Sequence, residues 1–153
     1  MNFLENLDKK FKIAEIIELE TNEKDLIPKI YDKLKIDLPE ECKIVFENYG
    51  LLEIGTPHPD GYDLSIMLSG PHRFWEDLFF LEEYSTEFIG NVVIIGNDVN
   101  YFYLYGIGNE GLGFYFAEAD YMHKDNYIKL SDTLADFFCK GIGVDKFTEF
   151  FNF

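Results

Sequence analysis

The 153-residue sequence predicts an α+β fold: N-terminal helices, a central antiparallel β-sheet and a closing C-terminal helix, in a single domain over 1–153. Three observations predict it. Before Gly50, apolar residues recur at i, i+3, i+4, i+7, the stripe of an amphipathic helix. After Gly50, short runs of aromatic and β-branched residues alternate with Gly and Asn punctuation, and links that short cannot hold crossover helices. The length suits one core and is too short for two.

Taken in order, "FLENLDKKFKIAEIIELE" reads as a first helix, with "IAEIIELE" equally able to pair as a strand. In "DLIPKIYDKLKI", Ile27, Ile30, Tyr31 and Leu34 form the stripe, and Pro28 sets the helix start near Asp25 because proline is tolerated only in the first turn. "DLPEECKIVFENYG" follows as a second marked helix. Glu40 and Glu41 complement its dipole, Cys42, Val45, Phe46 and Tyr49 make its apolar face, and Gly50 stops it. "GTPHPDG" reads as a loop, "YDLSIMLS" as a strand and "HRFWEDLFFLEEYS" as a short helix or irregular cover. "NVVIIGN", "YFYLYG", "LGFYFAE" and "NYIKLS" are strands, and Ser131 is placed to cap a last helix over "DTLADFFCK". The role of the tail "FTEFFNF" is left open between packing on its own domain and packing on a neighbour.

Gly106, Gly108 and Gly111 match the G-x-G-x-x-G spacing of a dinucleotide loop. That loop needs a helix after the glycines, whose N-terminal N–H groups hold the pyrophosphate. "GLGFYFAEAD" has strand composition instead, so the spacing reads as a β-hairpin turn. Other catalytic patterns are thin. His58, His72 and His123 lie in turn-like sequence without zinc spacing, and pairing His58 with Asp60 or His123 with Asp125 reads as solvated side chains. Asn97, Asp98 and Asn100 form a polar turn rather than a calcium loop. Cys42 and Cys139 read as buried free thiols. No enzyme activity, cofactor or metal is expected.

Charge carries the most information. Thirteen basic residues against 29 acidic ones leave −16, a surface that repels nucleic acid and anionic lipid, so neither is an expected partner. No run approaches the roughly 18 apolar residues of a membrane span, and "MNFLENLDKKFK" lacks the pattern of a signal peptide, which points to the cytoplasm. The first 37 residues hold 7 of the 13 basic groups. From Phe74 to His123 there is no Lys or Arg, while nine acids share the stretch with Trp75 and the aromatic runs. Acid mixed with aromatic anchors suits a basic protein partner. The alternative is acid for solubility over buried aromatics. By period two, Tyr101, Tyr103 and Tyr105 fall on one strand face and Phe102 and Leu104 on the other. The second pair reads as the core side and the tyrosines as a contact surface, unless "HRFWEDLFF" covers them. The candidate partner-binding residues are Trp75, Asp98, Tyr101, Tyr103, Tyr105, Glu110, Glu118 and Asp120.

The segments "IPKIYDKLKIDLPEECKIVFENYG", "VVIIGND" and "YIKLSDTLADFF", in that order, resemble the SUKH superfamily, which groups Smi/Knr-type cell-wall regulators with bacterial immunity proteins. The second helix ends in "ENYGLL" rather than the family's Asn-Gly-Gly, and 56–88 carries no family motif. The resemblance implies a binding module: a bacterial immunity protein that neutralises a toxin domain, frequently a nuclease. Two alternatives stand beside it, a regulatory scaffold with several weak host partners and a small hydrolase or nucleotide-binding protein.

Overall fold

A computed structural model describes residues 2–98 and 100–151. The chain forms two antiparallel sheets with helices between and after them, so the α+β expectation holds. The first sheet has the order β1 (Lys12–Glu18), β2 (Tyr49–Pro57), β3 (Asp63–Ser69). The second has the order β4 (Asn91–Asn97), β5 (Tyr101–Gly108), β6 (Gly111–Glu118), β7 (Ile128–Ser131). Between β1 and β2 lie α1 (Thr21–Lys24), α2 (Leu26–Lys33) and α3 (Glu40–Asn48), and between β3 and β4 lie α4 (Pro71–Glu82) and α5 (Thr86–Ile89). The chain closes with α6 (Leu134–Lys140) and α7 (Val144–Phe150).

Three sequence expectations need correction, and one open reading is decided. "KIAEIIE" takes the strand alternative: it pairs with β2, Ile13 opposite Ile54 and Ile16 opposite Leu52. β2 starts directly at Tyr49 and runs through Thr56 and Pro57, so the expected loop shrinks to a tight turn in which the Gly61 N–H donates to the His58 carbonyl. α6 is capped by Thr133, whose Oγ1 accepts from the Asp136 N–H at 3.0 Å, while the Ser131 hydroxyl donates to the Thr133 carbonyl. The last helix is α7 rather than α6, and it folds onto its own chain: Phe147 stacks edge-on with Phe116 and Phe137. The final two residues of "FTEFFNF" lie outside the described residues.

The glycine hairpin forms as expected. Gly108 pairs with Gly111 across the two-residue turn Asn109–Glu110, and Gly111 sits at φ +87°, where a side chain would be strained. The Tyr115 hydroxyl fixes the turn, donating to the Gly111 carbonyl at 2.6 Å and accepting from the Glu110 N–H. No helix follows the glycines, so the turn lacks the N–H cradle that a pyrophosphate needs.

One core cluster joins the two sheets. It runs from Leu52, Ile54, Ile66 and Leu68 under α2, α3 and α4 to Tyr103, Phe114 and Phe116 under α6 and α7. The sheets meet without a shared ladder at Gly96, where a Cβ would lie 2.0 Å from the Met67 carbonyl oxygen. A second cluster, with Ile94, Leu104, Tyr115 and Tyr127, covers the other face of the four-stranded sheet. β4 and β6 are therefore buried on both faces, which is why they read as continuous apolar runs rather than alternating ones.

Candidate functional site

The two-sided burial decides where the aromatic anchors go. Tyr103 is 1% exposed, packs near Phe114 and Phe147, and donates its hydroxyl to the Ser65 carbonyl at 3.3 Å. It is a core residue, which overturns its expected place on a contact surface. Tyr101 and Tyr105 are half-buried beside the same cluster. The cover on Tyr101 and Tyr103 comes from α7 and the residue after it, with the Tyr101 ring edge-on to Phe150 and Phe151. Leu104 is buried as expected, in the second cluster, with Phe102 packed against it.

Four of the eight candidate residues come together at one end of the four-stranded sheet. Asp98 closes the β4–β5 turn, its Oδ1 accepting from the N–H groups of Asn100 and Tyr101, both at 2.8 Å. Tyr101 pairs across the ladder with Glu118. Asp120 follows on an exposed 3₁₀ turn, Ala119–Tyr121, which is tied back where the Ala119 N–H donates to the Asn100 carbonyl. Burial, then the charges of Glu118 and Asp98, pushes the Tyr101 hydroxyl above its ordinary pKa, so Tyr101 stays a neutral donor beside two carboxylates.

Beside this cluster lies a cavity of about 240 Å³, floored by Phe116, Ile128 and Phe150 and rimmed by Glu118, Tyr121 and Asn126. Apolar walls under one carboxylate suit an aliphatic stem that ends in a positive charge, which describes a lysine or arginine side chain. The other candidates stand apart. Glu110 sits at the far end of β5, an eight-residue strand and so about 27 Å away. Tyr105 lies toward Glu41 and Cys42 on α3. Trp75 is half-buried on α4, edge-on to Phe79, and the Lys33 ammonium lies 4.4 Å from that ring.

Sequence reasoning missed a second surface in the same base-free stretch. Phe80, Tyr84 and Phe88 recur at i, i+4, i+8 and contact one another in a row, with Tyr84 and Phe88 stacked at 5.9 Å. The row ends edge-on at His123, 4.5 Å from Phe88. Tyr84 and Phe88 remain 37% and 42% exposed, and the neighbouring Glu83 and Glu87 face solvent. The spacing was available in "FLEEYSTEF" as a signal, but the Ser-Thr break after Tyr84 hid it.

Two further groups were also missed. His58 is buried rather than solvated: its Nδ1 accepts from the Asp60 N–H, its ring stacks on Tyr62 at 4.4 Å, and its Nε2 has no hydrogen-bond partner among the described residues. Asp77 on α4 accepts from the Asn97 side-chain amide at 2.7 Å, while Arg73 donates to the Asn97 carbonyl at 2.9 Å. Burial raises the Asp77 carboxyl to about 6, against the lowering effects of Asn97 and Arg73. Cys42 is buried and Cys139 half-buried; both are free thiols.

Fold and surface together define a mixed α+β protein in which Asp98, Glu118 and Asp120 gather at one end of a sheet buried on both faces. No protein-family model, no curated protein and no solved structure matches the chain. Among the described residues no helix is long and apolar enough to cross a membrane.

Proposed function

We propose that the chain is a protein-binding module for a basic partner, an immunity protein of the kind the SUKH resemblance implies, which blocks a toxin domain by occupying its cationic surface. The observation that carries this reading is the cavity under Glu118: an apolar floor and a carboxylate rim, with Asp98 and Asp120 beside it, all three acids drawn from a stretch of 50 residues without a single Lys or Arg. A toxin that binds nucleic acid presents lysines and arginines to phosphate, and the same side chains would enter this acidic end. The row Tyr84–Phe88–His123, with Glu83 and Glu87 exposed beside it, adds apolar area and charge from the same stretch, the combination that gives an interface both steering and anchors.

The test is capture on the tagged chain from the source cell and from strains expressing neighbouring toxin-like domains, washed at low and high salt, followed by kinetics on the purified pair. One basic protein held tightly and loosened by salt is expected. The double variant Glu118→Lys, Asp120→Lys then weakens binding at least tenfold, mainly through slower association and a shallower salt dependence. Glu110→Lys, at the other end of the sheet, changes it little. Equal effects from the two ends would remove the cavity from the interface, and failure to hold any basic protein would remove the immunity reading.

A further inference from the structure

The end of β4 is gripped from α4 by two charged side chains one helical turn apart. The Arg73 guanidinium donates to the Asn97 carbonyl at 2.9 Å, and the Asn97 side-chain amide donates to Asp77 Oδ2 at 2.7 Å. Residues four apart share a helix face, so both grips reach the same residue. Asn97 ends β4, and the next residue is Asp98, whose carboxylate accepts from the N–H groups of Asn100 and Tyr101. Across the sheet Asn97 pairs with Phe102, and Phe102 with Ala117, the neighbour of Glu118. Where α4 holds Asn97 therefore decides where the acidic end of the sheet begins.

We infer that Asp77 is a positioning residue whose ionisation tightens the hold of α4 on the β4–β5 turn, and so sets the geometry of the acidic end by pH. The consequence for binding rests on the basic-partner reading above; the hold itself does not. A carboxylate accepts a stronger hydrogen bond than a neutral carboxyl does, and it also attracts Arg73. Both partners favour the charged form, while burial and the nearby Glu76 favour the neutral one, and the balance leaves the Asp77 carboxyl at about 6. Among the described residues the charges acting on it are Arg73 and Glu76 of its own helix, and β4 presents to it the neutral Asn97 amide. Glu20 and Glu23, at α1, line a cleft with Arg73 and compete for it once Asp77 is neutral. Protonation thus loosens both grips together.

Position carries this effect rather than field. Asn97 to Ala117 spans two interstrand steps, about 10 Å, beyond the Debye length of about 8 Å at physiological ionic strength. A charge that far from Glu118 is largely screened, whereas a displacement of Asn97 passes directly through the chain to Asp98. Linkage fixes the sign: a basic ligand that binds better to the tightened turn must lower the pKa of Asp77.

Amide NMR on the whole chain from about pH 5 to about pH 7 tests the hold. The Asn97 side-chain amide and the Asn100 and Tyr101 N–H groups are expected to titrate together, with a midpoint near 6. Asp77→Asn keeps an acceptor and cannot ionise, so it fixes these signals at their acid-limit positions. Arg73→Gln raises the midpoint, because the cation that favours the carboxylate is gone. Glu76→Gln removes an equal charge from the same helix, where it pairs with His72, and leaves the titration in place. A capped oligolysine peptide serves as the ligand probe. Its affinity rises between pH 5 and pH 7 by about fivefold more in the parent than in Asp77→Asn, and it moves the midpoint down. Flat Asn100 and Tyr101 signals in the parent overturn the inference, as does a titration that survives in Asp77→Asn. Peptide binding with the same pH dependence in both chains overturns it too. Amides that titrate as expected beside a peptide that binds at no pH count against the basic-partner reading and leave the hold established.

Discussion

β1 and the C-terminal pair α6–α7 are both apolar segments at the ends of the chain, and they meet opposite fates. "KIAEIIE" exposes every residue, whereas Phe137, Phe138 and Phe147 are all 0% exposed. The difference is cover. α6 and α7 lie across the face of the four-stranded sheet, where Phe137 meets Phe114 at 5.1 Å and Phe150 meets Phe116 at 4.9 Å. β1 extends the other sheet beyond the helices that cover β2, so its isoleucines are sheltered mainly along the sheet and stay 41–47% exposed. Apolar content sets what a segment can contribute, and the element packed over it sets what it does contribute.

The hardest way to break the aromatic side of this comparison is Phe147→Ala. Its ring contacts Tyr103, Phe116, Phe137 and Phe151, and removing it leaves a cavity between α7 and the sheet. The expected loss is about 3–5 kcal/mol of unfolding free energy by urea titration. A loss under 1 kcal/mol would mean that α7 is not integral to the core.

Much of this architecture could be read from the sequence, and the failures share one cause. The stripes of α2 and α3, the run of strands after Gly50 and the glycine hairpin were legible because each is a local signal: a period, a turn residue, a cap. What covers a segment is not local. Period two places Tyr103 and Leu104 correctly on opposite faces, but it cannot reveal that both faces are buried or that α7 covers the tyrosine side. The unbroken run "VVII" in β4 was the available hint of two-sided burial. At the site, the gathering of Asp98, Tyr101 and Glu118 follows from the β4–β5–β6 meander, whereas Tyr84, Phe88 and His123 come together only through α5 and the turn after β6.

Between the two extremes lies Asp77, partly covered where α4 meets β4. Its carboxyl rises from an ordinary value near 3.8 to about 6 because burial disfavours the charge. The folded chain therefore holds this proton more tightly than the unfolded one. The resulting stabilisation is complete below the unfolded value and disappears as pH rises through about 6. Asp77→Asn keeps an acceptor for Asn97 and has nothing to ionise. Relative to the parent, its stability should climb between pH 4 and 7 by about 1 kcal/mol, a figure that allows for solvent screening at a half-buried site. Melting both proteins across this range checks it, and parallel curves would show that the carboxylate is solvated in the folded chain.

The smallest effect sharpens the comparison most. Ile17→Thr removes apolar surface from a strand as rich in isoleucine as any in the chain, and on composition alone it should cost as much as a core substitution. Ile17 is 47% exposed, pairs with Leu51 on the outer face of the sheet, and is replaced by another β-branched residue suited to a strand. Its unfolding free energy should therefore fall within about 0.5 kcal/mol of the parent. A cost near that of Phe147→Ala would mean that something covers β1, and the contrast between the two ends of the chain would collapse. A near-zero cost means that Ile17 contributes little to the isolated fold, because no element packs over that face of β1 to turn its apolar surface into stability.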